Sequence, residues 1–225
     1  MHKLLIIMAF GLLFIQCQKE EDLGSPEIYN FKTTINTDYN ADTISIGDTI
    51  WFDSKIVSFL VDSATNKSIY FGNARININM LVRAWNVENQ TFESKYCNFD
   101  FKKNYSSFIS QTSKATMVGL YYYADAGKYL LKFGVIFNKS GIYSIDADYL
   151  KFKSYYNNNI VYFGGGYMQF YNTDNKYREA YLSAEITAEN QNIHLYNELS
   201  DEDKASFQVV NDDNQSKYFF IKVNE

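Results

Sequence analysis

From Arg75 to Val87 the chain alternates, with Ile76, Ile78, Met80, Val82 and Ala84 apolar against Arg75, Asn77, Asn79 and Arg83. A period of two puts one set on each face of a pleated strand, so one face is buried and the other wet. Thr49–Ile56 repeats the pattern, with Ile50, Phe52 and Ile56 on one face. Such segments must bury their apolar faces against another layer, which makes an all-β body the expectation. The 20 tyrosines, 18 phenylalanines and 46% hydrophobic content are enough to fill its core.

The remaining chain reads as short strands separated by turns. Pro26, the only proline, precedes a strand-like run at Ile28–Thr33, and Thr34–Asp48 is polar and turn-rich. Asp62–Lys67 reads as a loop, Phe92–Phe101 as a strand, and Lys102–Ser113 as a polar loop. Met117–Tyr123 and Tyr129–Phe137 are apolar runs divided by Asp125-Ala126-Gly127. Ile160–Phe163 and Tyr167–Tyr171 flank Gly164-Gly165-Gly166, which reads as a hairpin turn or bulge. Tyr181–Thr187 and Ile193–Tyr196 are further strands, and Tyr218–Val223 is a terminal one. One helix is predicted, with Ser200 as N-cap, Asp201, Glu202 and Asp203 in the first turn, and a stop at Asn211–Asn214. Residues 27–225 are expected to form one domain, with 171–176 as the alternative division.

The N-terminus has a different character. Lys3 precedes an apolar run, Leu4–Ile15, broken only by Gly11. It is too short to span a bilayer, which takes about 20 residues. A positive tip, a short apolar run and an abrupt polar change are the pattern of a secretory signal over residues 1–16. Phe14-Ile15-Gln16-Cys17 resembles a lipobox, with Gln16 where a small residue is usual. Gln18, Lys19, Glu20, Glu21 and Asp22 resemble the export tract of Bacteroidota-type surface lipoproteins. The resemblance implies diacylation of Cys17, a solvated tether over 17–26, and an outer-membrane lipid anchor facing the cell surface or the periplasm. Lys3 is the only formal charge in residues 1–16, so their removal takes the net charge from −5 to −6. Such an acidic chain has no electrostatic case for binding nucleic acid.

Gly47-Asp48 leading into Thr49–Ile56 resembles the second strand of bacterial immunoglobulin-like modules. Asn138-Lys139-Ser140-Gly141 followed by Ile142-Tyr143 resembles the tyrosine corner of Ig-like sandwiches, without the paired cysteines of antibody domains. The implied fold is an Ig-like antiparallel β-sandwich with a short C-terminal helix and a terminal strand.

Chemistry-bearing residues are few. With residues 1–16 removed, His194 is the only histidine and Cys97 the only thiol beside Cys17, so Cys97–His194 is the sole thiol dyad available. The pair also falls short of the four ligands of a structural zinc site. Asp38-Tyr39-Asn40-Ala41-Asp42 has the spacing of half a calcium loop, but Thr43 and Thr49 replace its Gly and Glu, leaving only a looser site with Asp48. Asp62-Ser63-Ala64, Asp42-Thr43-Ile44 and Asp48-Thr49-Ile50 resemble O-glycosylation acceptors of the same bacteria. No cofactor or metal is expected. Tyr121, Tyr122 and Tyr123, like Tyr155-Tyr156, put rings on both faces of a strand, which makes the first three candidate ligand-facing aromatics. A non-catalytic binding or structural module for a glycan or protein ligand follows. Its alternative is a carboxylate-dependent glycan hydrolase, which needs two opposed carboxylates.

Labelling with a fatty-acid analogue should mark the wild type and be abolished by Cys17→Ala. Replacing Lys19, Glu20, Glu21 and Asp22 with Ala should keep the label and lower protease accessibility on whole cells. Label surviving in Cys17→Ala removes the anchor.

Overall fold

The computed structural model describes residues 28–70, 74–85, 96–101, 106–111, 115–147, 152–156, 159–163, 166–171, 177–205 and 217–225. Residues 1–16, expected to be a signal, Cys17, Gln18–Asp22 and the rest of the expected tether to residue 26 lie outside them.

Strands β1 (Ile28–Asn36), β2 (Thr43–Ser45), β3 (Thr49–Val57), β4 (Phe59–Val61), β5 (Ser68–Tyr70) and β6 (Arg75–Trp85) come first. They are followed by β7 (Cys97–Asp100), β8 (Ser106–Gln111), β9 (Ala115–Tyr121), β10 (Tyr123–Asp125), β11 (Lys128–Phe137) and β12 (Gly141–Asp146). Then come β13 (Phe152–Tyr156), β14 (Asn159–Phe163), β15 (Gly166–Tyr171) and β16 (Tyr177–Thr187). Helices α1 (His194–Asn197) and α2 (Asp201–Lys204) precede β17 (Tyr218–Asn224).

These strands make an all-β sandwich. A hydrogen-bonded path runs β10-β11-β3-β1-β16-β15-β6-β12-β17-β2, with β7 on β11, and β9 and β8 beyond β6. The ladder thins to one pair, Asn36 with Asp53, between β1 and β3, and there the path folds over. Across the fold, Phe52 of β3 meets Phe219 of β17 edge-on at 6.0 Å, while it stacks on Phe133 of β11 at 5.3 Å. At the other corner Gly47, at φ +90°, donates its N–H to the Phe137 carbonyl at 2.8 Å. The all-β sandwich expected from sequence is found, with most of its pairings antiparallel and two parallel, β1 with β16 and β17 with β2.

Alternation predicts β3 well: Ile50, Phe52 and Ile56 are buried, with Ser54 on the same face. In β6 it holds only for the first half, and every residue from Met80 to Trp85 is buried. There one edge of β6 pairs with β9, while the other passes from β15 to β12. Its second face is covered by a separate cluster of Trp85, Ile142, Leu195, Leu199, Tyr218 and Phe220. Arg83, expected on the wet face, is therefore only 7% exposed.

Three further expectations are corrected. The Lys102–Ser113 loop contains β8, whose register with β9 shifts between Ser106 and Phe108. Ile193–Tyr196 is not a strand, since α1 begins at His194 after the buried left-handed Asn192, whose Nδ2 donates to the Ala41 and Phe220 carbonyls. The glycine run does not make a hairpin of its flanking strands, because β14 pairs with β13 while β15 lies between β16 and β6. Gly164 and Gly165 are outside the described residues, as are 86–95, 172–176 and 206–216. The strands on either side of 172–176, β15 and β16, are paired. The Ser200 cap forms as predicted, the Asp203 N–H donating to its Oγ at 3.1 Å, and α2 is a single turn.

The tyrosine corner is present in geometry. The fully buried Tyr143 donates its hydroxyl to the Lys139 carbonyl at 2.9 Å and packs its ring against Phe137 at 4.9 Å, tying β12 to the turn that leaves β11. Burial pushes its phenol above the ordinary value. Tyr143→Phe should lower unfolding free energy by about 1 kcal/mol, the net worth of one such hydrogen bond. An unchanged midpoint in urea would show that the corner contributes packing alone.

Candidate functional site

The three candidate tyrosines are divided by the pleat. Tyr122 is 7% exposed and donates its hydroxyl to Ser54 Oγ at 2.8 Å, inside the sandwich. Burial raises its phenol to about 12, against the hydrogen bonds that lower it. It is not ligand-facing, and that expectation is corrected. Tyr121 and Tyr123 are half-buried on the other side of the backbone. Tyr121 lies under the Arg75 guanidinium, 4.7 Å from its ring centroid, and its hydroxyl accepts from Arg75 Nη2 at 2.8 Å. Tyr123 opens β10, opposite Leu130. A two-residue turn with Ala126 and Gly127 both at positive φ closes this hairpin.

Tyr123 belongs to a larger surface. The outward residues of β11 are Leu130, Lys132, Gly134 and Ile136, and facing them on β3 are Lys55, Asp53, Trp51 and Thr49. On β7, Asp100 stands opposite Gly134 and Asn98 opposite Ile136. Trp51 leans across onto β11: a Cβ on Gly134 would sit 3.1 Å from its Cζ3 and 3.2 Å from its Cε3. The same Cβ would meet Thr49 Cγ2 at 2.6 Å, so a side chain at 134 would force Thr49 to shift and crowd the ring. Lys132 Nζ is 5.9 Å from the indole centroid, and Asn36 Nδ2 donates to Asp53 Oδ1 at 3.4 Å. Beyond Val57, the β4–β5 ribbon leaves Phe59, Val61 and Tyr70 exposed while Leu60 and Ile69 pack on the core.

Trp51 and the ribbon were not singled out from sequence. Two signals pointed to the former: the alternation that buries Ile50 and Phe52 turns Trp51 outward, and an isolated glycine inside a strand run marks a close approach.

Other candidates are directed elsewhere. Cys97 is buried in the main core, where desolvation raises its thiol to about 12. That is the opposite of nucleophile activation. His194 stands on the surface, its Nε2 3.5 Å from Asp42 Oδ2. Asn40 donates to Glu189 at 3.3 Å, and Asp48 accepts from the Ser45 N–H at 3.3 Å, so the Asp38–Asp48 segment is occupied by turn and cross-loop contacts. Among the described residues no three His, Cys, Asp or Glu side chains are grouped to hold a metal ion. None of their helices is long and apolar enough to cross a membrane.

No family model matches the chain, and no curated protein does. Solved structures are similar to it at low scores, among them the following three. A non-cellulosomal cohesin from the archaeon Archaeoglobus fulgidus has a TM-score of 0.26 at 11% identity, over 74% of this chain and 97% of that one. A type II cohesin domain from the cellulosome of Acetivibrio cellulolyticus has 0.32 at 11%, over 68% and 91%. AvmM, which catalyses macrocyclization in alchivemycin A biosynthesis, has 0.33 at 8%, over 71% and 95%. These values support no residue-by-residue correspondence.

Asp62 organises the loop that carries the acceptor-like Asp62-Ser63-Ala64. It is 1% exposed and accepts from the Asn30 N–H at 2.9 Å, the Thr65 N–H at 3.0 Å, and the Thr65 hydroxyl. Ser63 donates its own hydroxyl to the Asn30 carbonyl at 2.8 Å. The Thr65 hydroxyl first, then the Asn30 amide, hold the Asp62 carboxyl below its ordinary value of 3.8. A depressed folded value means that the stabilisation is full above the ordinary value and lost as pH falls through the depressed one. Asp62→Ala should cost about 1–3 kcal/mol at neutral pH, as for donors left without an acceptor. The gap from wild type should close in strong acid, and a gap constant with pH would remove the charged carboxylate from the explanation.

Proposed function

We propose that the protein is an outer-membrane-anchored lipoprotein whose β-sandwich acts as a non-catalytic binding module, displayed on the cell surface by the lipid on Cys17. The observation that supports it is the outward face of β10, β11, β3 and β7, where Tyr123, Leu130 and Trp51 stand among Lys55, Asp53, Lys132 and Asp100. Rings with polar neighbours on a sheet face suit recognition, since aromatic side chains offer large contact area at small entropic cost. The face suits a glycan or a protein segment. Cys97 and His194 contribute nothing to it, one being in the core and the other beside Asp42.

Purified full-length protein should retain a glycan or protein ligand on immobilised host and bacterial extracts without releasing product. Tyr123→Ala should reduce that retention while leaving thermal unfolding unchanged. Glycan turnover lost in Asp53→Asn or Asp100→Asn, but kept in Tyr123→Ala, would replace the module with a carboxylate-dependent hydrolase.

A further inference from the structure

We infer that the face around Trp51 is a glycan subsite that takes a neutral pyranose unit stacked on the indole; this rests on the binding-module reading and names its ligand class. The support beneath the ring is built in. Gly134 is buried under Trp51, and a larger residue there would collide with Thr49 and press on the indole. One side of the indole therefore rests on the β11 backbone. The half-buried ring keeps surface for a ligand, whereas Trp85 is 3% exposed in the second cluster.

The surroundings select the ligand. A pyranose presents C–H groups on its flat side, which pack on a π-face, and hydroxyls at its rim, which both donate and accept. Around Trp51 the rim would meet carboxylates of Asp53 and Asp100 as acceptors. Asn98, whose Nδ2 donates to Asn138 Oδ1 at 3.4 Å, would be an acceptor through its own Oδ1. Lys132, whose Nζ lies over the indole 5.9 Å from its centroid, would donate from beside the stacked sugar. Neighbouring strands are about 4.8 Å apart and like-facing rows about 7 Å apart, a spacing that brings these groups to the edge of one sugar ring. Lys55 and Lys132 offset Asp53 and Asp100, so the face carries no excess of either sign and favours an uncharged unit over a uronate or an amino sugar.

The test uses full-length protein and tryptophan emission, which reports the ligand through Trp51 because the other of the two tryptophans is buried. Cello-, malto-, manno- and N-acetylchito-oligosaccharides are titrated beside polygalacturonate as the anionic control. A saturable change with a neutral oligomer and none with polygalacturonate is expected. Trp51→Ala should weaken retention on the matching polysaccharide at least about tenfold, a loss of about 1.4 kcal/mol. Trp51→Phe should keep part of the affinity. Thermal unfolding checks that the variants fold, and Asp100→Asn, also expected to weaken retention, serves if Trp51→Ala does not. Retention equal in folded Trp51→Ala and wild type overturns the subsite and leaves the binding module standing. So does capture of protein alone with no response to any neutral oligomer. Turnover whose KM rises in Trp51→Ala would keep the subsite and overturn the module.

Discussion

Phe52 is the residue on which the two layers close. It stacks on Phe133 within its own layer and meets Phe219 of the opposite one, so removing it would open the contact between β3 and β17 as well as that between β3 and β11. Its neighbours in sequence point the other way. Trp51 and Asp53 reach solvent because the pleat that buries Ile50, Phe52 and Ser54 leaves them no other direction. Core and candidate site are thus written on one strand, and a one-residue slip of β3 against β11 would exchange them. The deep burial of Ile50, Phe52 and Ile56 makes such a slip costly, which is how packing fixes the position of the outward ring.

That coupling explains what was legible in sequence. Where one face is buried and one wet, alternation identifies both the strand and its inward residues, as in β3 and the start of β6. It fails where a second layer covers the far face. Arg83, beside Ser144 and between Leu81 and Trp85, obeys local polarity and is nevertheless buried, because α1 and β17 supply a cover that only tertiary structure brings there. It fails again at β8, where Ser106, Ser107 and Ser110 carry turn-like composition but β9 offers an open edge. Partner choice and direction were not legible at all. Nothing local in Ile28–Asn36 distinguishes a parallel partner, Tyr177–Thr187, from an antiparallel one.

At the level of the site, adjacency was misleading in a similar way. Three consecutive tyrosines drew attention, yet consecutive residues on a strand cannot share a face, and Tyr122 is spent on Ser54 inside the core. The residues that do share a face come from four strands: Tyr123, Leu130 with Lys132, Asp53 with Trp51, and Asp100. The clue that was local, an isolated glycine at 134 within an apolar run, carries meaning only once its partner across the ladder is known to be tryptophan.

Gly134 admits a purely structural account as well. A glycine inside a strand costs roughly 0.5–1 kcal/mol relative to alanine, and an aromatic ring laid over it from the neighbouring strand restores cover to the exposed backbone. Stability alone asks only that the ring cover the glycine. It does not require the polar, charge-balanced rim of Asp53, Lys55, Lys132, Asp100 and Asn98 spread over β3, β11 and β7. The two roles also reinforce each other. A ring laid against the backbone at Gly134 has less rotamer freedom left to lose, so a ligand that stacks on it gives up less binding energy to ordering than one that must immobilise a free side chain.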